Sequence, residues 1–226
     1  MFNQADITAF LITLKLATVT VAILLVIGAP LAWWLARSQW RYKFLLEAFI
    51  ALPLVLPPTV IGFYLLLAFS PAGAVGSVMQ FLGVQPLAFT FTGLVIGSVI
   101  YSMPFVVQPL QNSFSAVSNR QLEVAATLGA GPKDRFFSIA LPLARPGFIT
   151  AAVLGFAHTI GEFGVVLMIG GNIPDKTQVA SIAIYDHVES LEYANAHWLA
   201  GFLLFLSFVM LIVVYGLNRQ TSVLRT

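Results

Sequence analysis

The chain has 226 residues, of which 59% are hydrophobic and only 9% charged, with a mean hydropathy of +0.92. An ordinary soluble domain is about a quarter charged, so this composition excludes a soluble globule and a disordered chain alike and indicates a membrane protein. There is no cysteine, hence no disulfide, thiolate metal site or cysteine nucleophile, and the net charge of +2 comes without the dense basic cluster that nucleic acid would need.

A bilayer core of about 30 Å takes roughly 20 apolar residues in a helix. Five stretches are long enough: Ile7–Ala36, Phe44–Phe69, Phe89–Leu110, Phe148–Gly170 and Trp198–Leu217. Met1–Asp6 has no basic n-region and no cleavage site follows, so the first stretch is expected to be kept as a span rather than removed as a signal peptide. Lys15, the one basic residue inside a span, is expected to snorkel to the headgroups. Basic residues then set the orientation. Arg37, Arg41 and Lys43 follow the first span; Arg120, Lys133, Arg135 and Arg145 lie between the third and fourth; Arg219 and Arg225 follow the fifth. The positive-inside rule makes that side cytoplasmic, with the N-terminus outside and the C-terminus inside. Trp33, Trp34, Trp40 and Tyr42 at one interface and Tyr193 and Trp198 at the other read as aromatic belts.

In the second stretch, Pro53, Pro57 and Pro58 remove backbone donors. Two readings stay open: a hinge or pore-lining kink, and a bend packed against neighbours. In the third, Gly93-Leu94-Val95-Ile96-Gly97 is a small-residue packing motif.

The polar loop at 112–147 reads as two short helices. Ser118 with Gln121 forms a capping box that starts a helix at Asn119, with Leu122, Ala125 and Ala126 as its apolar face. Gly129 sits where a glycine would end it. Gly131-Pro132 looks like a second start, with Asp134 in the first turn, and Phe136, Phe137, Ala140 and Leu141 precede a stop at Pro142. A surface hairpin that merely joins two spans would carry the same periodicity. The small residues Ala125, Ala126, Gly129, Ala130 and Gly131 would also let a partner's backbone approach closely.

In the fourth stretch, Glu162 is a deeply placed acid and His158 lies four residues before it, on the same face of a continuous helix. Readings include a His–Glu hydrogen bond between helices and a gate latch; a metal site would need more ligands than this pair offers. Small and hydroxyl residues that could line a path for an anion are Thr59, Ser98, Ser102, Thr159 and Gly164, each equally at home in helix packing. Thr177–Ser190 is too short to span; Ile182, Ala183, Tyr185 and Val188 give it one apolar face, and Asp186, Glu189 and Glu192 are expected to face solvent. His187 and His197 read as interfacial.

Glu123-Val124-Ala125, three residues, Gly129, nine residues, then Ile139-x-Leu141-Pro142 resembles the EAA signature of permease subunits of ABC importers, with Val124 in place of the usual second alanine. Pro53-Leu54-Val55-Leu56-Pro57-Pro58, Gly161-Glu162-Phe163-Gly164 and Gly171-Asn172-Ile173-Pro174 are similar to the molybdate branch of that family, and sulfate permeases share some of these residues. The resemblance runs from about residue 10 to 217. It implies an all-α integral membrane protein of the type I importer fold with five transmembrane helices, one permease domain over 1–226, and a coupling loop that docks on an ATPase through Glu123, Ala125, Ala126, Gly129, Ala130, Gly131 and Pro132. It also implies a path or gate involving Pro57, Pro58, Thr59, Ser102, His158, Glu162 and Gly164, and a re-entrant or gate role for Thr177–Ser190. His158 stands where the molybdate branch commonly has arginine. The implied partners are a second permease copy, two ATP-binding cassette subunits at the cytoplasmic face, an extracytoplasmic substrate-binding protein and the lipid of the cytoplasmic membrane. No Gly-x4-Gly-Lys-Ser/Thr loop occurs, so no cofactor is expected on this chain; ATP and magnesium would sit on the partner, and the chain itself is expected not to be an enzyme. A lone ion-coupled carrier would show inverted repeats and several intramembrane charges, and an intramembrane enzyme a converging nucleophile; neither pattern is present.

Overall fold

The computed structural model describes residues 4–223, with side chains through residue 216. The side chain of Arg219 and all of Arg225, used above to mark one face, lie outside the described residues, as do Met1–Asn3. The described residues are helical with no strand. In chain order the helices are α1 (Gln4–Arg37), α2 (Lys43–Ala51), α3 (Pro58–Phe69), α4 (Ala74–Phe81), α5 (Phe91–Ser115), α6 (Asn119–Thr127), α7 (Pro132–Arg135), α8 (Leu141–Leu143), α9 (Arg145–Gly161), α10 (Gly164–Gly170), α11 (Ala180–Glu189) and α12 (Tyr193–Val223). A 3-10 turn at Leu52–Leu54 follows α2, and a π turn at Phe136–Ala140 joins α7 to α8.

Four stretches among the described residues are long and apolar enough to cross a membrane: Gln4–Arg37, Pro58–Phe81, Phe91–Ser115 and Tyr193–Gly216. A fifth arises if Pro132–Leu143 and Arg145–Gly161, bent by 67° at their junction, count as one. Two of the expected continuous spans are therefore broken. In Phe44–Phe69 the helix stops at Ala51 and resumes at Pro58, with Pro57 extended at φ −55°, ψ 138°. Pro57 and Pro58 have no N–H to give to the carbonyls of Pro53 and Leu54, so the ladder cannot run through. In Phe148–Gly170 the helix ends at Gly161, and Glu162 is extended (φ −72°, ψ 135°) before α10 begins.

The core is built by α1, α5 and α9, with α10 seated between α3 and α5. Several hydroxyls within the long helices are satisfied locally. Thr8, Thr13 and Thr18 of α1 turn their hydroxyls back to the carbonyls four residues earlier. Thr90 caps α5 by accepting from the Gly93 N–H at 3.0 Å. Asp6 opens α1 and Arg37 closes it, both favourable for the helix dipole. Lys15 places its ammonium 4.7 Å over the Phe91 ring, at the end of α5 that faces away from the 112–147 loop. α12 packs on α9 and α11 and leaves most of its apolar surface open.

The loop forms as the local signals require, with two adjustments. Ser118 caps α6, but its hydroxyl accepts from the Arg120 N–H at 3.3 Å rather than from that of Gln121. Gly129 sits at φ +91°, and the N–H groups of Gly129 and Ala130 return to the carbonyls of Ala126 and Ala125, both at 3.0 Å. That pair of bonds is the Schellman ending, which favours glycine for its left-handed residue. The expected stop at Pro142 does not occur. Pro142 cannot donate to Ser138, and its ring would crowd that carbonyl, so the backbone widens into the π turn and continues through Leu143.

Candidate functional site

The candidate gate residues are gathered where the chain breaks between α9 and α10. Ser98 and Ser102 lie one turn apart on α5 and face α9 as two rungs. At the first rung the Ser98 hydroxyl donates to Glu162 Oε2 at 3.4 Å. At the second, Ser102 Oγ lies 2.9 Å from His158 Nδ1 and 3.0 Å from Thr159 Oγ1, and the Thr159 hydroxyl donates to the Gly155 carbonyl at 2.8 Å. Each hydroxyl has one proton. With that of Thr159 committed to Gly155, the protons run in one direction, from His158 Nδ1–H to Ser102, to Thr159, to the backbone. The imidazole is stacked 3.8 Å from the Phe105 ring, and the Tyr101 ring lies tilted at 4.9 Å.

His158 and Glu162 do not bond to one another. The reading that put them on one helical face assumes a continuous helix, and the helix ends at Gly161, so Glu162 turns to a different serine. Glu162 is 5% exposed, and its Oε1 has no hydrogen-bond partner among the described residues. An unmatched buried carboxyl oxygen is costly in any apolar surrounding. It marks a place that the single closed chain leaves incomplete.

A second layer ties α11 over this break. The Ser181 hydroxyl donates to the Glu162 carbonyl at 2.5 Å, and Thr13 of α1 accepts from the Ala180 N–H at 2.8 Å, capping α11 from another helix. At the far end of α11, His187 Nε2 is 2.8 Å from Asp6 and Nδ1 is 3.1 Å from Glu192. His187 is thus a strap joining the starts of α1 and α12, not a bystander at an interface. Burial weakens its charged form, but the bonds and charges of Asp6 and Glu192 outweigh that and raise its pKa from the ordinary 6.5. Asp186, expected to face solvent, accepts from Asn172 and Gln178, both at 2.9 Å to Oδ2. Only part of the expected apolar face of α11 is buried: Ile182 and Ala183 are, whereas Tyr185 and Val188 are exposed. Thr13, Ser181 and the Asp6–His187–Glu192 strap have no local sequence signature. Their only hint is a hydroxyl or charge placed within or beside an apolar run.

The remaining path candidates separate from this cluster. Pro57 caps α3, Pro58 opens it, and a Cβ added at Gly164 would fall 2.7 Å from Pro58 Cβ, so Pro58 and Gly164 form a close packing contact. Thr59 is exposed, as is the flank of the break, where Val55 is 83% accessible.

The coupling candidates occupy the other end of α1. Asn119, the first residue of α6, is bonded to Arg37, twenty-four residues along α1 from Thr13. At 1.5 Å per residue that is about 36 Å, more than the thickness of a bilayer core. No side chain of α6 is buried. Glu123, Ala126, Gly129, Gly131 and Pro132 are exposed, Ala125 and Ala130 half-buried, and Leu128 is 82% accessible. A groove of about 490 Å³ runs beside Arg120, Gln121, Val124 and Ile139. Among the described residues no group of three or more His, Asp or Glu side chains is placed to hold a metal ion.

Residues 28–222 match the family described as "Binding-protein-dependent transport system inner membrane component". The molybdenum transport system permease protein ModB of Azotobacter vinelandii is 60% identical over 217 residues, 96% of each chain. That of Escherichia coli is 36% identical over 80% of each chain. The sulfate transport system permease protein CysT of Synechococcus elongatus is 34% identical over 96% of this chain and 77% of its own. Among solved structures, a bacterial alginate ABC transporter in complex with an alginate-bound periplasmic protein superposes with a TM-score of 0.78 at 16% identity, covering 97% of this chain and 80% of that one. An amino acid ABC transporter gives 0.63 at 19% identity, covering 96% and 94%. At these identities the two structures speak to fold alone.

Proposed function

The chain belongs to the inner-membrane components of binding-protein-dependent transport systems, the permease subunits of ABC importers, and on that premise we propose that it forms half of an ATP-driven path carrying molybdate, or its congener tungstate, into the cytoplasm. The observation that carries this reading is 60% identity to a molybdenum permease along almost the whole of both chains, against 34% to a sulfate permease. A tetrahedral oxyanion suits the residues at the gate. Serine and threonine hydroxyls can exchange their partners for those of a passing anion without a fixed cation that would trap it.

The assembly follows from the same features. The α2–α3 break exposes Val55, and irregular backbone at membrane depth needs protein or a water-lined cavity beside it. A second copy of this chain across a twofold axis supplies that cover and the other half of the path. Loop residues Glu123, Ala125, Ala126, Gly129, Ala130, Gly131 and Pro132 dock on an ATP-binding cassette subunit, one beneath each copy. The basic residues of that face support a cytoplasmic position for it, with the N-terminus and α11 outside, where a substrate-binding protein delivers the anion. Closing of the ATPase pair rocks the two copies, parts α11 from the α9–α10 break and opens the serine rungs to the binding protein. Hydrolysis and its magnesium belong to the partner; this chain positions and gates.

Reconstitution of the chain with its ATPase in vesicles, with binding protein loaded with molybdate, tungstate or sulfate, tests the reading. Molybdate and tungstate are expected to enter only with ATP and the ATPase. Uptake of sulfate alone would move the chain to the sulfate branch, and uptake without the ATPase would overturn the transporter class.

A further inference from the structure

The loop that meets the ATPase and the gate that must open are about 36 Å apart along α1, and α6 leans chiefly on α7 and the π turn rather than on the spans. One side chain bridges the gap at the loop end. Arg37 Nη1 donates to Asn119 Oδ1 on the first residue of α6, and Nη2 donates to the carbonyls of Phe114 at 3.1 Å and Val117 at 2.6 Å. All of these bonds leave its own helix. The end of α1 does not need Arg37 for capping, because Lys43 Nζ donates to the Leu35 carbonyl at 3.0 Å and the Ser38 N–H donates to that of Trp34 at 2.8 Å.

The guanidinium also lies 5.0 Å over the Trp33 ring, and Trp33 packs edge-on against Phe114 and Phe136, each at 5.3 Å. Phe114, fully buried, meets Phe148 of α9 at 5.8 Å. One planar fork and one aromatic cluster therefore join the end of α1, the last turn of α5, the first residue of α6, the π turn and the start of α9. Only Ala116–Ser118 separate α5 from α6, so α6 cannot shift without pulling on these bonds. A lysine ammonium would keep the charge but not the fixed fork that holds three acceptors, on α5, on α6 and on the link between them.

We propose that Arg37 is a positioning residue of transport: the pin through which displacement of α6 by the ATPase is passed into α1, and along α1 to Thr13 and the α11 gate. This rests on the docking of α6 proposed above. The test is the number of ATP molecules hydrolysed per molybdate imported, measured in vesicles with the full complex for the wild type, Arg37→Lys and Asn119→Ala. Loss of the pin should raise that ratio by about tenfold for Arg37→Lys and about fivefold for Asn119→Ala, at the lower end of ordinary coupling free energies, while ATPase subunits co-purify as before. A purely structural role would lower uptake and hydrolysis together and leave the ratio alone. A wild-type ratio in Arg37→Lys overturns the proposal; if that variant fails to assemble, a wild-type ratio in Asn119→Ala overturns it. A wild-type complex that imports no molybdate strikes the proposed function instead.

The absence of cysteine permits a second reading of the same pin. Spin labels at Gln39→Cys and Thr127→Cys should hold one distance before and after nucleotide trapping, and Arg37→Lys should broaden it. A distribution unaffected by Arg37→Lys counts against the pin.

Discussion

The two ends of α1 are finished in opposite ways. At the α11 end, side chains from α1, α5, α9, α11 and the start of α12 close on one another: Thr13 with Ala180, Ser181 and Ser98 with Glu162, and His187 with Asp6 and Glu192. At the loop end, α6 buries no side chain and presents alanines, glycines and Leu128 outward. The first is closed by contacts within the chain, apart from the unmatched Glu162 Oε1, and the second is left open. On the proposed function, energy enters at the open end and acts at the closed one, since a partner can pull only on what the fold leaves open and must break only what the fold has closed.

The largest effect should come from closing the open end. Gly129→Leu forces a leucine to φ +91°, a left-handed conformation that costs about 1–2 kcal/mol, and puts a bulky side chain into space that is open in the chain. Co-purification of the ATPase should fall by more than about tenfold, as for a central interface residue, with membrane insertion unchanged. Normal co-purification would remove the loop from the docking surface. Next, Glu162→Gln at the closed end should slow ATP-driven uptake by about tenfold while the ATPase still co-purifies; unchanged uptake would reduce Glu162 to packing. Thr13→Val removes the acceptor that caps α11 and should cost about 1 kcal/mol, seen as a midpoint of thermal unfolding lower by about 2–4 °C. An unshifted midpoint would mean that the cap is replaced by water.

The smallest effect is a pH dependence of the latch. Because the pKa of His187 is raised in the fold, its ion pairs stabilise fully below the ordinary value of 6.5 and fade as pH rises through the raised one. The wild type should lose thermal stability relative to His187→Gln as pH rises from the ordinary value of 6.5 through the raised one. Parallel curves would show that the strap holds by neutral hydrogen bonds alone.

What the sequence made legible follows the same division. Ser118, Gly129 and Pro132 act within a few residues of themselves, so capping and turn chemistry place the loop helices almost correctly. Pro142 misleads because the backbone absorbs it as a π turn instead of ending the helix. Spacing puts Glu162 and His158 on one face, but each meets a different serine, since the four-residue rule holds only where the helix continues past Gly161. His187 meets Asp6 across 181 positions, and no local pattern encodes that contact. Arg37 was visible only as a topological charge; its role depends on carbonyls that become available where α5 ends.

The central claim, that ATP at the loop end opens the latch, is tested most directly by a single cysteine at Ser98, which is fully buried in the closed chain. With Ser98→Cys in the otherwise cysteine-free chain, reconstituted with its ATPase and molybdate-loaded binding protein, a membrane-impermeant thiol reagent is applied from the binding-protein side. Labelling should rise by at least about tenfold when the ATPase is trapped closed with nucleotide, matching a coupling of more than 1 kcal/mol. Equal labelling with and without the trapped ATPase would contradict the account.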